Sequence, residues 1–420
     1  MPESEHRMPF EGRRLLVVST NYAPELTGPG PYAAQLAEHW ARSGAETHVL
    51  TGMPHYPSWR TEAPYRGVWR ADEERSGVQV HRRRHYVPPR QGVLRRGVFE
   101  ASVLAHGLTA PPAQRPDAVI AQMPGLASGV IGARLARRHR VPYIPVVRNL
   151  TGVAAARSGI REAGRAAALA ARVERYALGA ATLVGVIHES LVPRVTAHGV
   201  DPGRIRLVPN WSRTQAPSAD RAATRARLGW RDDVPVVLHS GTMGRKQGLE
   251  VLVDAARLAP DIRVVLMGDG DQRDALLARA PGLPNLDFLP PAGADEFTDI
   301  LAAADVLVVT QCASVRGTGV PSKLTSYFVS GRPVVASVAD GGGAAQEVQR
   351  SGAGLLVAPE DPAAVLAAVR KLFEEPAAAD RLGAHGPLYV ARHLSREAGL
   401  ARFDALLGEV FDEAGESHRR

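Results

Sequence analysis

Short apolar strands, each followed by a glycine-bearing loop and an amphipathic helix, run in two rounds through this chain. That alternation restricts it to a parallel α/β architecture. RRLLVVS (13–19) predicts a buried strand, TNYAPELTGPGPY (20–32) a loop, AAQLAEHWARSG (33–44) a helix ended by Gly44, and ETHVLTG (46–52) the next strand. This is the opening of a Rossmann-like unit. Further strands are expected at 77–88, 116–122, 141–149, 181–188 and 204–210, with helices over 128–139 and 154–179. WSRTQAPSADRAATR (211–225) is polar and carries a proline, so it reads as a linker. The pattern restarts with strands at 234–241, 262–270, 285–292, 305–311 and 352–361. Between them lie helices at 248–259, 271–280 and 295–304, and after them a helix at 362–375 and a helical tail at 384–413. GVPSKLTSYFVSGRPVVAS (319–337) supplies one more loop, helix and strand. Two consecutive doubly wound domains follow, and ligands of such folds bind beyond the carboxyl ends of the strands, here in the cleft between the domains.

A chain of 420 residues with 45% apolar and 22% charged residues is long enough for two or three soluble domains. A net charge of +8 favours anionic partners, although arginine-rich coding explains it equally well. The single cysteine, Cys312, excludes an internal disulfide framework and a cysteine zinc site, and is expected to be a buried, inert thiol. The polar start MPESEHRMPFEGRR and the short run LLVVS predict neither signal peptide nor membrane span, hence a cytoplasmic protein.

Three glycine-bearing stretches carry the chemistry. In PELTGPGPY (24–32), Gly28 and Gly30 let backbone N–H groups approach a phosphate or sugar. The spacing is not GxGxxG and no acidic residue ends the second strand, which disfavours a nicotinamide cofactor; an ordinary strand-to-helix turn is the competing reading. In HSGTMGRKQGLE (239–250), Gly241 and Gly244 form a turn and Arg245 and Lys246 bring two cations to a helix entry, as a diphosphate requires. A solvated basic turn would look the same. In the third stretch Gly317, Gly319 and Pro321 set a tight turn before Ser322 and Lys323 at a helix start, an anion site.

NYAPELTGPGPY, SGTMGRKQGLE, LMGDG and VPSKLTSYF…GRPVVAS, in this order along nearly the whole chain, resemble the retaining GT-B glycosyltransferases of the family four group. The branch they are most similar to is that of colanic-acid-type bacterial surface-polysaccharide sugar transferases. The resemblance implies an acceptor-binding domain over 1–212, a nucleotide-sugar domain over 213–390, and a helix over 391–420 that packs back on the first. It implies that Arg245, Lys246 and Lys323 are catalytic cations offsetting the leaving diphosphate, with no metal and no cofactor. Donor contacts are implied for Gly28, Gly30, Gly241, Thr242, Gly268, Asp269, Leu289 and Pro290, with Phe288 beside the base. They continue through Thr318, Gly319, Val320, Pro321, Ser322 and Ser326. Acceptor contacts are implied for Asn21, Glu25, Arg148, Asn149 and His188. Four positions depart from the family pattern. Gln247 stands where a lysine is common, Asn149 where an Asp follows the His or Arg, and Thr318 and Ser326 where many relatives carry two glutamates, the second on the ribose.

The expected activity is therefore front-face transfer of a sugar from a UDP- or GDP-sugar to a saccharide, lipid-linked or small-molecule hydroxyl, in polysaccharide or antibiotic biosynthesis. A sugar-nucleotide epimerase or a non-catalytic sugar-nucleotide-binding protein are the alternatives. His188 serves equally well as a helix cap, and His55, Tyr56 and Trp59 stack on a sugar or merely pack their loop. RRRHYVPPRQGVLRR (82–96), with six arginines, reads as a solvated basic loop or as a patch for an anionic membrane leaflet. No nucleic-acid motif accompanies the charge.

Overall fold

The computed structural model describes residues 8–417 apart from 27, 90–91, 110–111, 113, 124, 151–160 and 316–319. The chain forms two compact units, one of Met1–Asn210 with Leu400–Arg420, the other of Trp211–Gly399.

Unit 1 runs β1 (Arg14–Ser19), α1 (Gly30–Arg42), β2 (Glu46–Gly52), β3 (Arg70–Arg75), β4 (Val78–Arg83), α2 (Val93–Thr109), β5 (Ala118–Met123), α3 (Leu126–His139), β6 (Tyr143–Val147), α4 (Arg161–Gly179), β7 (Val184–Val186), α5 (Val192–Ala197) and β8 (Ile205–Leu207). Its sheet has the order β3-β4-β2-β1-β5-β6-β7-β8. Only the β3–β4 pairing is antiparallel. The strand order reverses between β1 and β5, both nearly or wholly buried, as parallel strands covered on two faces must be.

Strand β3 corrects the reading of the basic run. RADEER is too charged to announce a strand, yet it pairs along β4 as a charged edge and supplies carboxylates to it. Arg82, fully buried, donates to Glu73 at 2.7 Å and to the Ala23 carbonyl, and Arg83 donates to Asp72 at 3.0 Å. Two of the arginines expected in a solvated loop are thus structural. The strand ends at Arg83 rather than at 88, and of the helix expected over 154–179 the first residues, 154–160, lie outside the described ones.

Unit 2 runs α6 (Arg221–Leu228), β9 (Val236–Ser240), α7 (Glu250–Leu258), β10 (Arg263–Met267), α8 (Arg273–Arg279), β11 (Leu286–Leu289), α9 (Ala294–Ala303), β12 (Val306–Thr310), α10 (Lys323–Val329), β13 (Val334–Ser337), α11 (Gly343–Ser351), β14 (Gly354–Val357), α12 (Pro362–Glu374) and α13 (Pro376–Tyr389). Its sheet, order β11-β10-β9-β12-β13-β14, is parallel throughout. The order reverses between β9 and β12.

The segment 211–225 is not a free linker. Asp299 accepts hydrogen bonds from the main-chain N–H of Ser218 at 2.6 Å and of Ala219 at 3.0 Å, and α6 begins within the segment. Arg225 is buried against Asp305 and the Ala303 carbonyl. The tail is not one helix either. After α13 comes a wide π turn at Val390–Leu394, then an extended Ser395, then α14 (Arg396–Ser417). From Leu400 onward α14 belongs to unit 1, where Asp404 accepts hydrogen bonds from Trp40 at 3.0 Å and pairs with His39 at 2.8 Å. Glu409 pairs with Arg206, and Leu400, Phe403, Leu406, Leu407 and Val410 are buried.

Candidate active site

In unit 2 the polar residues gather where the strand order reverses, the place at which open α/β sheets bind ligands. β9 and β12 share only the pairs Val237–Val306 and Leu238–Leu307, so their carboxyl ends part. His239 lies in that opening, wholly buried. Its Nδ1–H donates to the Val308 carbonyl of β12 at 3.0 Å, which leaves Nε2 as an acceptor 2.8 Å from Lys323 Nζ. Tyr327, one turn along α10, closes the floor by accepting the Ser240 N–H at 2.7 Å. Burial and the adjacent lysine hold the His239 imidazole neutral, its pKa well below the ordinary value. Burial alone pushes the Lys323 ammonium down to about 7. Among the described residues no carboxylate pairs with Lys323. A half-buried cation whose partner among the described residues is a neutral imidazole leaves its positive charge open to an anion.

The glycines around this lysine are there for closeness. Gly241, with φ +108°, lies under the lysine, so that a Cβ would meet Lys323 Cε and Nζ at 3.4 Å. Gly268, with φ +146°, has no room for a Cβ, which would lie 1.9 Å from the Gly241 carbonyl oxygen. Its N–H donates to the Leu289 carbonyl at 2.9 Å, and the Asp269 carbonyl accepts the Met243 N–H at 2.8 Å. The loops after β9, β10 and β11 are thereby tied together, with Thr242, Asp269 and Pro290 exposed. Arg245 and Lys246 form a single exposed turn. Its carbonyls are held to the segment after β12 by Cys312, whose N–H donates to Lys246 and whose Sγ–H donates to Arg245, both at 3.0 Å. Cys312 is accordingly half-buried and structural rather than enclosed in a core.

Of the lysine loop, Thr318 and Gly319, with Gly317, lie outside the described residues. Val320 and Pro321 are half-buried and Ser322 is exposed. α10 has seven residues, so its dipole is short and the lysine is the main source of positive potential. The Ser326 hydroxyl is hydrogen-bonded to Thr214 at 2.8 Å.

In unit 1 the glycine loop follows β1, again at the reversal of strand order. Glu25, which was expected to touch acceptor, is buried and saturated. One carboxylate oxygen accepts the N–H groups of His55 and Tyr56, each at 2.9 Å, and the other accepts from Asn21 Nδ2 at 2.9 Å. Asn21 and Glu25 therefore shape the loop by clamping it to the segment after β2. Gly28, with φ +69°, leaves room for the Tyr56 ring, and Gly30 for the Glu25 side chain. Arg148, at the end of β6, donates to Gln122 at 2.9 Å and to Asn210 and lies 5.1 Å over the Tyr32 ring. Burial lowers its pKa to about 10. Asn149 is exposed with its side-chain oxygen on the Leu150 N–H. His188 caps the turn after β7 by accepting the Ser190 N–H at 3.1 Å. Among the described residues no group of three or more His, Cys, Asp or Glu side chains is placed to hold a metal ion.

His239 and Tyr327 escaped the sequence reading. The signal for His239 was present as the one ionisable residue inside the buried strand VPVVLHS.

Residues 27–211 match a family model described as a glycosyl transferase 4-like domain, and residues 234–375 one described as glycosyl transferases group 1. A protein of Escherichia coli K12 named as a colanic acid biosynthesis glycosyl transferase, WcaI, is 32% identical over 78% of this chain and 84% of its own length. A Mycobacterium tuberculosis protein named GDP-mannose-dependent alpha-mannosyltransferase is 28% identical over 79% of this chain and 80% of its own. Among solved structures, sucrose-phosphate synthase of Thermosynechococcus elongatus superposes with a TM-score of 0.72 at 22% identity, covering 96% of this chain and all of that one. Anabaena HepE, solved in complex with UDP-glucose, has a TM-score of 0.63 at 16% identity over 95% and 99%.

Proposed function

The chain belongs to the glycosyltransferases built from family 4-like and group 1 domains on the GT-B fold, and on that premise we propose that it is a retaining, metal-independent hexosyltransferase using a UDP- or GDP-sugar. The observation that carries the donor assignment is Lys323, a half-buried cation partnered by the neutral His239 at the switch point of unit 2. With Arg245 and Lys246 on the neighbouring loop, it offers a leaving diphosphate three positive charges. In the proposed step the acceptor hydroxyl oxygen bonds to the anomeric carbon on the face from which the diphosphate oxygen departs. The leaving phosphate oxygen takes the hydroxyl proton, so no side-chain base is required.

The relatives named for GDP-mannose and for colanic acid support a sugar nucleotide and a saccharide acceptor of bacterial surface polysaccharide. The cytoplasm, where nucleotide sugars are made, is the compartment this reading implies. No described helix is long and apolar enough to cross a membrane. A peripheral contact with an anionic leaflet, for a lipid-linked acceptor, would rest on Arg95 beside the exposed Leu94 and Val98 of α2. Cosedimentation with anionic and neutral vesicles measures it.

The test is a thermal-shift panel of UDP, GDP and their sugars, followed by NMR of the product's anomeric configuration with and without EDTA. Stabilisation by one nucleotide family and an axial-to-axial or equatorial-to-equatorial outcome untouched by EDTA are expected. Inversion, or an intact Lys323→Ala variant with wild-type turnover, would remove the reading.

A further inference from the structure

Unit 1 contains a groove of about 610 Å³ to which neither the glycine loop nor the expected acceptor residues belong. It opens between the β3–β4 hairpin, the segment after β2 and helix α2, and its volume suits two or three sugar rings. Aromatic rings make its walls, namely Trp59, Tyr65, Trp69 and Tyr86. Trp69 is 67% exposed, an unusual position for an indole in a chain with 5% aromatic residues. The Arg84 guanidinium lies 4.7 Å over its ring, so the indole is held in place while its edge stays open.

Arg60 and Arg66 join Arg84 on the rim, all three exposed, and no Asp or Glu is among the lining residues. In the nearest acidic strand, β3, Glu73 pairs with Arg82, Asp72 with Arg83, and Glu74 accepts from Gln79. At the floor is His85, 7% exposed, whose Nε2 is buried and has no hydrogen-bond partner. Its Nδ1 faces the Arg83 carbonyl at 3.4 Å, which leaves Nε2 as an acceptor for a hydroxyl. His85 stacks edgewise on His55 at 4.7 Å. His55 in turn gives its main-chain N–H to Glu25, so the floor is mechanically continuous with the glycine loop.

We infer that this groove binds a saccharide bearing a negative charge, as the acceptor-side subsite of the transferase. The inference rests on the reading of the chain as a sugar-transferring enzyme. Flat aromatic walls suit the C–H faces of pyranose rings, a free buried acceptor suits a sugar hydroxyl, and guanidinium groups without carboxylate neighbours suit phosphate or carboxylate. The charge sits either on the sugar, as a uronate, or at the reducing end, as the phosphate of a lipid-linked saccharide.

Saturation-transfer NMR and calorimetry on the full chain test it with four probes: maltotriose, trigalacturonate, maltotriose 1-phosphate and inorganic phosphate. Both charged trisaccharides, or one of them, should bind at least about tenfold more tightly than maltotriose and than inorganic phosphate. Which of the two binds better identifies the source of the charge. Trp69→Ala and Arg84→Ala should each weaken that binding by about tenfold. Both side chains are exposed, and an unchanged melting temperature shows that the fold has survived. Should Trp69→Ala melt lower, Arg84→Ala decides. Equal binding of maltotriose and the charged sugars, equal binding of inorganic phosphate, no binding of any trisaccharide, or wild-type affinity in both variants would overturn the inference. Failure of the transferase reading is seen separately, as the absence of binding or turnover of any sugar nucleotide, which the groove's own binding does not require.

Discussion

Lys323 is a cation to which no described residue supplies a counter-charge, and two measurable effects follow. In the unfolded chain it titrates near the ordinary lysine value of about 10.4, and in the native chain near about 7. Between those values the unfolded chain holds the extra proton, so native stability rises with pH across that window and is lower on its acid side. Lys323→Met should therefore raise the melting temperature at about pH 7 and flatten its rise toward about pH 10, as thermal unfolding in a buffer series measures. The second effect concerns the donor. A diphosphate needs the ammonium form, so binding above about pH 7 must bring a proton with it. Affinity for the bound sugar nucleotide should fall by up to about tenfold per pH unit above about 7 until the pKa of the complex is reached. Calorimetry in buffers of different ionisation enthalpy measures that proton uptake directly, and a pH-independent affinity would take Lys323 out of the donor site. His239→Leu, which removes the acceptor at 2.8 Å, should weaken donor binding while leaving the charge count at the site unchanged.

At the scale of elements, the loop after β1 is held by one carboxylate. Glu25→Ala would strand two buried main-chain N–H groups and the Asn21 amide, at a cost of about 3 kcal/mol. Glu25→Gln keeps an oxygen for the two N–H groups and should cost markedly less; denaturant unfolding of the two variants makes the comparison. This clamp also shows where sequence reading stops. Strands β1, β5, β9 and β12 were legible because a parallel strand buried on both faces is a run of apolar residues, and the glycine turns because only glycine fits them. Glu25 looked like a loop acid available to a ligand because its partners are main-chain groups thirty residues away, which no side-chain pattern announces. RADEER and the arginines of β4 were illegible for a related reason. Each looks solvated alone, and only pairing the two strands turns charge into structure. The lysine and the basic turn are visible in the sequence as a cluster of cations, whereas the contact between Lys323 and His239, 84 residues apart, is seen only in three dimensions. The aromatic groove was half visible, through Trp59, and Trp69 on the unannounced hairpin was not.

At the scale of the whole molecule, unit 2 is an insertion into unit 1. The chain leaves unit 1 after Asn210 and returns at Leu400. Asp404, fixed to His39 and Trp40, and five buried apolar side chains then close the first unit. Burying that many apolar side chains contributes on the order of 10 kcal/mol, as much as a whole domain's net stability. Ending the chain at Gly399 should therefore leave unit 1 unable to hold its fold, read as loss of its cooperative transition and appearance of aggregates while unit 2 still unfolds as a unit. Asp404→Ala is the milder version and should cost about 2 kcal/mol. On the ribosome the same arrangement sets an order of events. Residues 211–399 are all made, and free to fold, before the helix that completes the first unit leaves the exit tunnel. The nascent first unit must wait with the Trp40 end of α1 unpaired for the time it takes to translate the second. Its yield in the cell should thus respond to translation speed and to chaperone supply more strongly than that of unit 2.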